Sequence, residues 1–556
     1  MCGIFCEICA QSENGDHKVM KLISNRGPNY VEKVTYNIRN KCTAIFCGSV
    51  LWMQGPSLTP QPFENDCGIL LYNGDIFDET WDKTSSDTQI IMEKLNYYNK
   101  VHISERHQNI IETIKKLKGP FSLIYYDKIN DKLYFTRDRI GRNSLLIHKN
   151  KTIVISSVLG RNYKAYEIPA THIYMLDVDT NALLSHSWSD GLEDTFELIS
   201  WLEILERQQS LSDDQFQFTF DGHNFEYDVY LIAEENTSKT EVMTKLLENE
   251  PINKVVKKLS YLLEKSVQLR LETQPQRCKE CIDIEISSCN HCCVGILFSG
   301  GLDCTILAFL ADKYLCKEQP IDLINVAFNR DLSKINYDVP DRLTGELSFE
   351  ELKRVCPNRM WTFRKVDVPF KELEIAQQEC IADLVYPRQT ILDESLGSAL
   401  WFASRANNGV DVSPCRVLIL GSGADELFGG YTRHRNAYKR RGWHGLQKEL
   451  TLDWKRISFR NLARDNRVIC DHGRQPRMPY LDEDFTNYVV SLEPWFRCYP
   501  SENLGPGLGD KLMLRLIAFS YGLKDVAVFP KRALQFGSRI ANKKEKGSDI
   551  SKNFLT

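Results

Sequence analysis

Residues 294–304, reading Val-Gly-Ile-Leu-Phe-Ser-Gly-Gly-Leu-Asp-Cys, constrain this chain more than any other stretch. Val294 to Phe298 are apolar or small without interruption, which suits a parallel strand covered on both faces, and Thr305-Ile306-Leu307-Ala308-Phe309-Leu310 continues as helix. Between them Ser299, Gly300 and Gly301 expose backbone N–H groups at a helix N-terminus, an arrangement that cradles phosphate. Ile321–Phe328 and Arg416–Gly421 read as further buried strands with helical patterns between them. The expectation is a doubly wound α/β sheet with its ligand at the carboxyl ends of the strands. The last of these strands runs into Gly421-Ser422-Gly423-Ala424-Asp425-Glu426, so two glycine turns should face one crevice. No Gly-Lys-Ser/Thr follows the first turn, which makes a Walker-type loop a poor fit.

A chain of 556 residues is too long for one core, and about 150 residues per domain suggests two to four units. Its net charge of -4, from 70 basic and 74 acidic residues, supplies no sustained field for nucleic acid or an anionic membrane, so small molecules are the expected partners. With no basic segment leading into an apolar core near Met1 and no window of ~18 apolar residues, the protein is expected in the cytoplasm. The 18 cysteines are spread along the chain, as reduced core thiols would be.

Met1-Cys2-Gly3 offers a nucleophile carrying its own base: removal of Met1 would leave Cys2 with an α-amine, which titrates near ~7.7–8 and can take the thiol proton at neutral pH. Asn25-Arg26-Gly27-Pro28-Asn29 gives a turn with a guanidinium suited to a carboxylate. Leu70 to Phe77 reads as strand, turn, strand around Asn73-Gly74, a common hairpin signal whose amide and N–H could also hold an oxyanion. Asp87 opens a helix as either an N-cap or an anchor for an ammonium group.

In this order the four stretches resemble the class II, N-terminal nucleophile (Ntn) glutamine amidotransferases, over about the first 185 residues. The resemblance implies a four-layer αββα glutaminase domain. In it Cys2 attacks the glutamine carboxamide, Arg26 and Asp87 hold the two ends of glutamine, and Asn73 with Gly74 stabilises the oxyanion. Asn29 stands where that family usually has Asp, and Asp75, also expected at the glutamine, where it has Glu.

Ser299-Gly300-Gly301-Leu302-Asp303 resembles the pyrophosphate loop of the ATP-pyrophosphatases, and together with the Cys2 domain and the Gly421–Tyr431 turn the whole chain resembles a glutamine-hydrolysing asparagine synthetase. That likeness implies ATP and Mg²⁺ as cofactors, and glutamine, aspartate and ATP as small-molecule partners, with a homodimer as one expected assembly. Phe298, Ser299, Gly300, Gly301, Asp303, Val326, Gly421 and Lys531 would bind ATP and its pyrophosphate, while Asp303 and Asp425 would hold Mg²⁺, a hard cation suited to oxygen ligands. Asn461–Arg467 and Arg477–Asp482 match the segments that complete the acceptor side.

Ser422 departs most, replacing the glutamate associated with acyl-adenylate formation and with proton acceptance from ammonia; a hydroxyl has neither the charge nor the basicity for this. Gln475 and Pro476 also replace a Glu-Ala pair, and Cys304 a usual Ser. Asp338–Arg342 with Cys470–Gly473 resembles the asparagine synthetase domain-containing subgroup. The expected activity is transfer of glutamine-derived ammonia to an adenylated aspartate. Its alternatives are a nucleotide-binding or scaffold homologue that has lost ligation, and an amidotransferase with another carboxylate acceptor.

The expected domains are 1–185 (glutaminase), 186–290 (polar insert and linker) and 291–556 (synthetase). An apolar stripe at Val255, Val256, Leu259, Leu262, Leu263 and Val267 predicts the helix leading into the last of these. Within the linker, Cys278-x-x-Cys281 and Cys289-x-x-Cys292 have the form of paired zinc knuckles, although seven residues separate the pairs where ~12–20 is usual. Structural zinc and a cysteine-rich loop that opens the next strand are the two readings.

Overall fold

The computed structural model describes residues 2–9, 16–38, 42–82, 85–96, 105–189, 193–207, 229, 232–233, 238–274, 277–284, 286, 288–330, 335–500, 504, 507–541 and 545–555. The N-terminal region is built from two antiparallel sheets. In the six-stranded sheet, Gly3–Cys9 lies between Cys42–Val50 and Ile153–Ser156. In the seven-stranded sheet, Phe121–Asp127 lies between Gly68–Gly74 and Lys132–Arg137.

Strand alternation decides what each face meets. Ile4, Cys6, Ile8 and Phe46 pack inward against Ile69, Leu71, Ile124 and Phe135 of the other sheet. Phe5 points the opposite way, onto Val19, Leu22 and Ile23 of the helix His17–Arg26. Leu70, Tyr72, Leu123 and Tyr125 turn outward onto Ile91, Ile110, Ile111 and Ile114 of the helices Asp87–Asn96 and Arg106–Lys115. The result is the four-layer αββα arrangement.

The C-terminal sheet has five strands, all parallel, in the spatial order Trp361–Pro369, Ile321–Asn329, Val294–Leu297, Val417–Ile419, Gln475–Arg477. Ile296, Leu323 and Ile419 face the helices Glu250–Glu272, Leu302–Tyr314 and Leu512–Ser520. Val326, Val366 and Leu418 face Ile391–Arg405 and Ala463–Cys470 on the other side. Helices on both faces of a parallel sheet make this the expected doubly wound fold.

Three expectations are corrected. Asn73-Gly74 is no hairpin: it ends the strand Gly68–Gly74, where Asn73 pairs with Ser122 and Gly74 with Phe121. The N-terminal domain continues past residue 185, because Glu193–Glu197 extends the second sheet and Leu198, Trp201 and Leu202 of the next helix join the inter-sheet core. The helices Lys239–Glu248 and Glu250–Glu272 belong with the C-terminal domain, since their apolar faces, including the whole predicted stripe from Val255 to Val267, enter its core. Of the remaining linker, 208–237, all but Val229, Ile232 and Ala233 lie outside the described residues.

The two domains meet through buried polar side chains. Arg142 donates to Leu481 O at 2.7 Å and to Glu483 Oε1 at 2.5 Å, and Arg467 to Ser144 Oγ at 2.7 Å and Glu167 Oε2 at 2.5 Å. Arg477 approaches Asp75 Oδ2 at 3.3 Å. In the stretches expected to complete the acceptor side, Asn466, Arg467 and Arg477 join the domains, and only Asn461 lines the cleft at the carboxyl ends of the parallel strands.

Candidate active sites

The first site forms where Cys2 enters the central strand of the six-stranded sheet. Gly3 permits this placement, because a Cβ there would lie 2.4 Å from Ile23 O of the helix behind it. Cys2, Gly74, Asp75 and Asp87 line one small cavity with Trp52, Gln54, Gln61, Tyr72 and Thr88. It adjoins a larger opening of about 370 Å³ that shares Trp52, Gln54 and Asp87. Burial pushes the Cys2 thiol up, so it rests protonated and needs a base before it can attack.

Asp87 is the first residue of its helix, and its Oδ1 accepts from the adjacent Thr88 N at 2.7 Å rather than capping the turn beyond. Burial, and then the nearby Asp75 charge, raises its carboxyl to about 7. Asp75 accepts from Gln54 Nε2 at 3.2 Å. Two buried carboxyls beside a thiol make a pocket that an ammonium group would relieve.

Arg26 does not line this cavity. It lies behind Cys2, with Nε donating to Cys2 O at 3.4 Å and Nη2 to Asn466 Oδ1 of the other domain at 2.9 Å. These bonds link the domains through Nε and Nη2, while Nη1 is buried with no hydrogen-bond partner among the described residues. The Asn73 side chain is fully buried outside the cavity lining, its Nδ2 donating to Ser122 Oγ at 3.2 Å. Gln61 was not foreseen from sequence, yet its Nε2 reaches Cys2 Sγ at 3.7 Å and Thr88 Oγ1 at 3.3 Å. It comes from the irregular Thr59–Pro62 segment, where no periodicity marks it.

The second site is a cleft of about 420 Å³ at the carboxyl ends of the parallel strands, within the size range of small-molecule sites. Phe298, Ser299, Gly301, Asp303, Val326, Gly421, Ser422, Asp425 and Lys531 all line it. Gly300 acts through its backbone: φ is +78°, and a Cβ would sit 2.4 Å from Gly345 on the neighbouring helix. The two glycine turns do face each other, since a Cβ on Gly421 would lie 2.9 Å from Asp303 Cβ.

Lys511, which sequence reasoning missed, bridges the two acids, with Nζ 2.5 Å from Asp303 Oδ2 and 2.8 Å from Asp425 Oδ1. Lys531 Nζ lies 3.1 Å from Asp425 Oδ1. Burial would raise Asp425, but these two ammonium groups outweigh it and hold the carboxyl below the usual range. Asp303 Oδ1 is buried with no hydrogen-bond partner among the described residues, and Asp425 Oδ1 has only its ion pairs. Gly430 keeps the surroundings open, because a Cβ there would lie 1.7 Å from Asp425 Oδ1. Paired carboxylate oxygens with free valence fit a hard divalent cation. Glu426 is a further buried carboxyl in the cleft; it accepts from Tyr431 OH at 2.7 Å and Asn461 Nδ2 at 2.8 Å, and burial with the Asp425 charge raises it to about 7.

Fold and sites together define a two-domain protein of the amidotransferase class, an Ntn glutaminase-type domain joined to a parallel α/β domain. The glutamine amidotransferase domain family matches residues 51–161, and the asparagine synthase family matches residues 291–518. The chain is 38% identical to an asparagine synthetase domain-containing protein of Drosophila melanogaster, with 100% of both chains covered. It is 32% identical to asparagine synthetase domain-containing protein 1 of Mus musculus, over 99% of each. A putative glutamine-hydrolysing asparagine synthetase of Methanocaldococcus jannaschii is 24% identical, over 86% of this chain and 79% of that one. The chain belongs to the asparagine synthetase domain-containing protein family. Among the described residues no helix is long and apolar enough to cross a membrane.

Proposed function

We propose that the protein is a glutamine-dependent, ATP-consuming amidotransferase that carries glutamine-derived ammonia to an adenylated aspartate. The observation that supports this best is the pairing in one chain of a Cys2 pocket walled by Asp75 and Asp87 with a cleft in which Asp303 and Asp425 face each other.

In the first site, with Met1 removed, the α-amine of Cys2 takes the thiol proton and Sγ attacks the glutamine carboxamide carbon. As the C–N bond breaks, the proton passes to the departing nitrogen, ammonia leaves, and water later releases glutamate from the thioester. Asp87 receives the glutamine α-ammonium, an opposite charge that returns its carboxyl to the ionised form. In the second site, Ser299 to Gly301 hold the pyrophosphate of ATP on backbone N–H groups at the start of the helix Leu302–Tyr314. Asp303 and Asp425 would hold Mg²⁺, which when bound screens the negative charge of the departing pyrophosphate. Lys511 and Lys531 neutralise the two carboxylates and are placed to turn to phosphate oxygens.

A second reading is supported by Ser422, which lines the cleft without a carboxylate: nucleotide binding kept, ligation lost. For the third, another carboxylate acceptor, Gln475 and Pro476 supply no support, since they are buried in the edge strand and do not line the cleft. Pyrophosphate release measured with glutamine and aspartate, beside the variant Ser422→Glu, tests these readings. Release by the unmodified protein supports ligation, and release gained only in the variant supports the second reading. ATP binding without release by either, together with no Cys2-dependent ammonia, would remove the proposal.

A further inference from the structure

The segment that joins Glu250–Glu272 to the strand Val294–Leu297 contains turns but no helix or strand among its described residues. Its own small cluster is made of thiols alone: Cys278, Cys281 and Cys293 are buried, with Cys289 packed against them. Three sulfur atoms and one imidazole nitrogen, from Cys278, Cys281, Cys289 and His291, come within 4.8 Å of one another. His291 Nδ1 is 3.5 Å from Cys278 Sγ and 3.3 Å from Cys281 Sγ. Around a tetrahedral zinc with Zn–S near 2.3 Å and Zn–N near 2.0–2.1 Å, sulfur and nitrogen ligands would stand about 3.5 Å apart. His291 already stands at about that spacing from Cys278 and Cys281. Cys278 N also donates to Cys289 Sγ at 3.1 Å, the kind of bond that favours a thiolate.

We infer that Cys278, Cys281, Cys289 and His291 bind one structural zinc ion. The ligand set differs from the sequence reading, which placed Cys292 in it. As the chain extends toward the strand, successive residues point to opposite sides. His291 and Cys293 fall on the cluster side, whereas Cys292 Sγ donates to Val294 O at 3.0 Å and joins the core beneath the sheet. Zinc takes three thiolates and one neutral imidazole here, so the thiol protons are released on binding and the site carries a net charge of about -1. Arg277 and Arg416 stand nearby to offset it.

The loop touches both catalytic halves. Arg277 lies 5.1 Å over the ring of Trp52, which walls the Cys2 cavity. Lys279 N donates to Pro414 O at 2.8 Å, and Arg416 N to Cys293 O at 3.0 Å, just before the strand that carries the Gly421 turn. A metal at this point fixes the loop on which the rim of one site and the sheet of the other both rest.

The test is elemental analysis of the purified full-length protein, with Zn²⁺ titration against a chromogenic chelator for any metal lost in preparation. We expect one zinc per chain, a fall below about a tenth of an ion in Cys281→Ser and His291→Ala, and full retention in Cys292→Ser and Cys293→Ser. Co²⁺ substituted into the wild-type protein should give tetrahedral ligand-field bands with thiolate charge transfer, a readout that needs no variant to fold. Removing the metal should lower Tm by about 5 °C or more. Absence of tight one-to-one binding by the wild type, a Cys278–Cys281 disulfide in the purified protein, or loss of zinc in Cys292→Ser with retention in His291→Ala would overturn the assignment.

Discussion

The two sites are built on opposite plans. Around Cys2 the cavity is small and its ionisable groups are acidic, phenol or thiol, so burial first, and then the neighbouring carboxylate charge, favours the neutral forms of Asp87 and Cys2. At Asp303 the cleft is many times larger, and the two carboxylates at its centre, Asp303 and Asp425, are already paired with Lys511 and Lys531. The first site gains an ion when its ligand arrives, and the second exchanges one set of ion pairs for another. Substrate binding should therefore move protons at the Cys2 site and salt-sensitive contacts at the Asp303 site.

Cys2→Ser should separate the two most sharply, lowering ammonia release from glutamine by at least about 10³-fold while leaving ATP affinity unchanged. Calorimetry and an ammonia assay on one preparation check both halves. Asp303→Asn should do the reverse, reducing pyrophosphate release by about 10²-fold or more with glutamine hydrolysis intact.

Asp87→Asn sharpens the contrast through pH. A carboxyl raised to about 7 in the folded chain, against ~3.9 when unfolded, binds its proton more tightly when folded. Its stabilising contribution is complete below the unfolded value and fades as pH rises through about 7. The same ionisation favours glutamine, so KM for glutamine should fall over that range. In Asp87→Asn we expect KM to rise about 10²-fold and lose this dependence, as steady-state kinetics from pH 5.5 to 8.5 would show. The smallest effect should come from Arg477→Met, which leaves Asp75 without its ion pair across the domains. A Tm lower by several degrees and a weaker glutamine site, with ATP affinity unchanged, is the expected result by scanning calorimetry and kinetics.

Legibility follows the same division between local and distant signals. The Ser299–Asp303 turn could be read because an uninterrupted apolar strand, a glycine pair and a helix stand next to one another. The edge strand Trp361–Pro369 could not, since its exposed Thr362, Lys365 and Asp367 dilute the apolar run that marks a covered strand. Lys511 lies 208 residues beyond Asp303 and reaches it from a left-handed residue at φ +54°, with no pattern to announce it. Arg26 reads as a substrate clamp because its residue type suits a carboxylate, but type alone does not show that Asn466, far along the chain, takes one guanidinium nitrogen and leaves Nη1 without a hydrogen-bond partner among the described residues. At residue 185 polar composition suggested a linker, although an edge strand with alternating polar residues has the same composition.

The central claim, that nitrogen freed at Cys2 is joined to a carboxylate activated above Asp303, is tested most directly with amide-¹⁵N glutamine, aspartate, ATP and Mg²⁺. The account predicts asparagine carrying the label, AMP and pyrophosphate in equal amounts, all lost in Cys2→Ser and all increased in Ser422→Glu. Free labelled ammonia with no labelled asparagine and no AMP, from the unmodified protein and from Ser422→Glu alike, would contradict it.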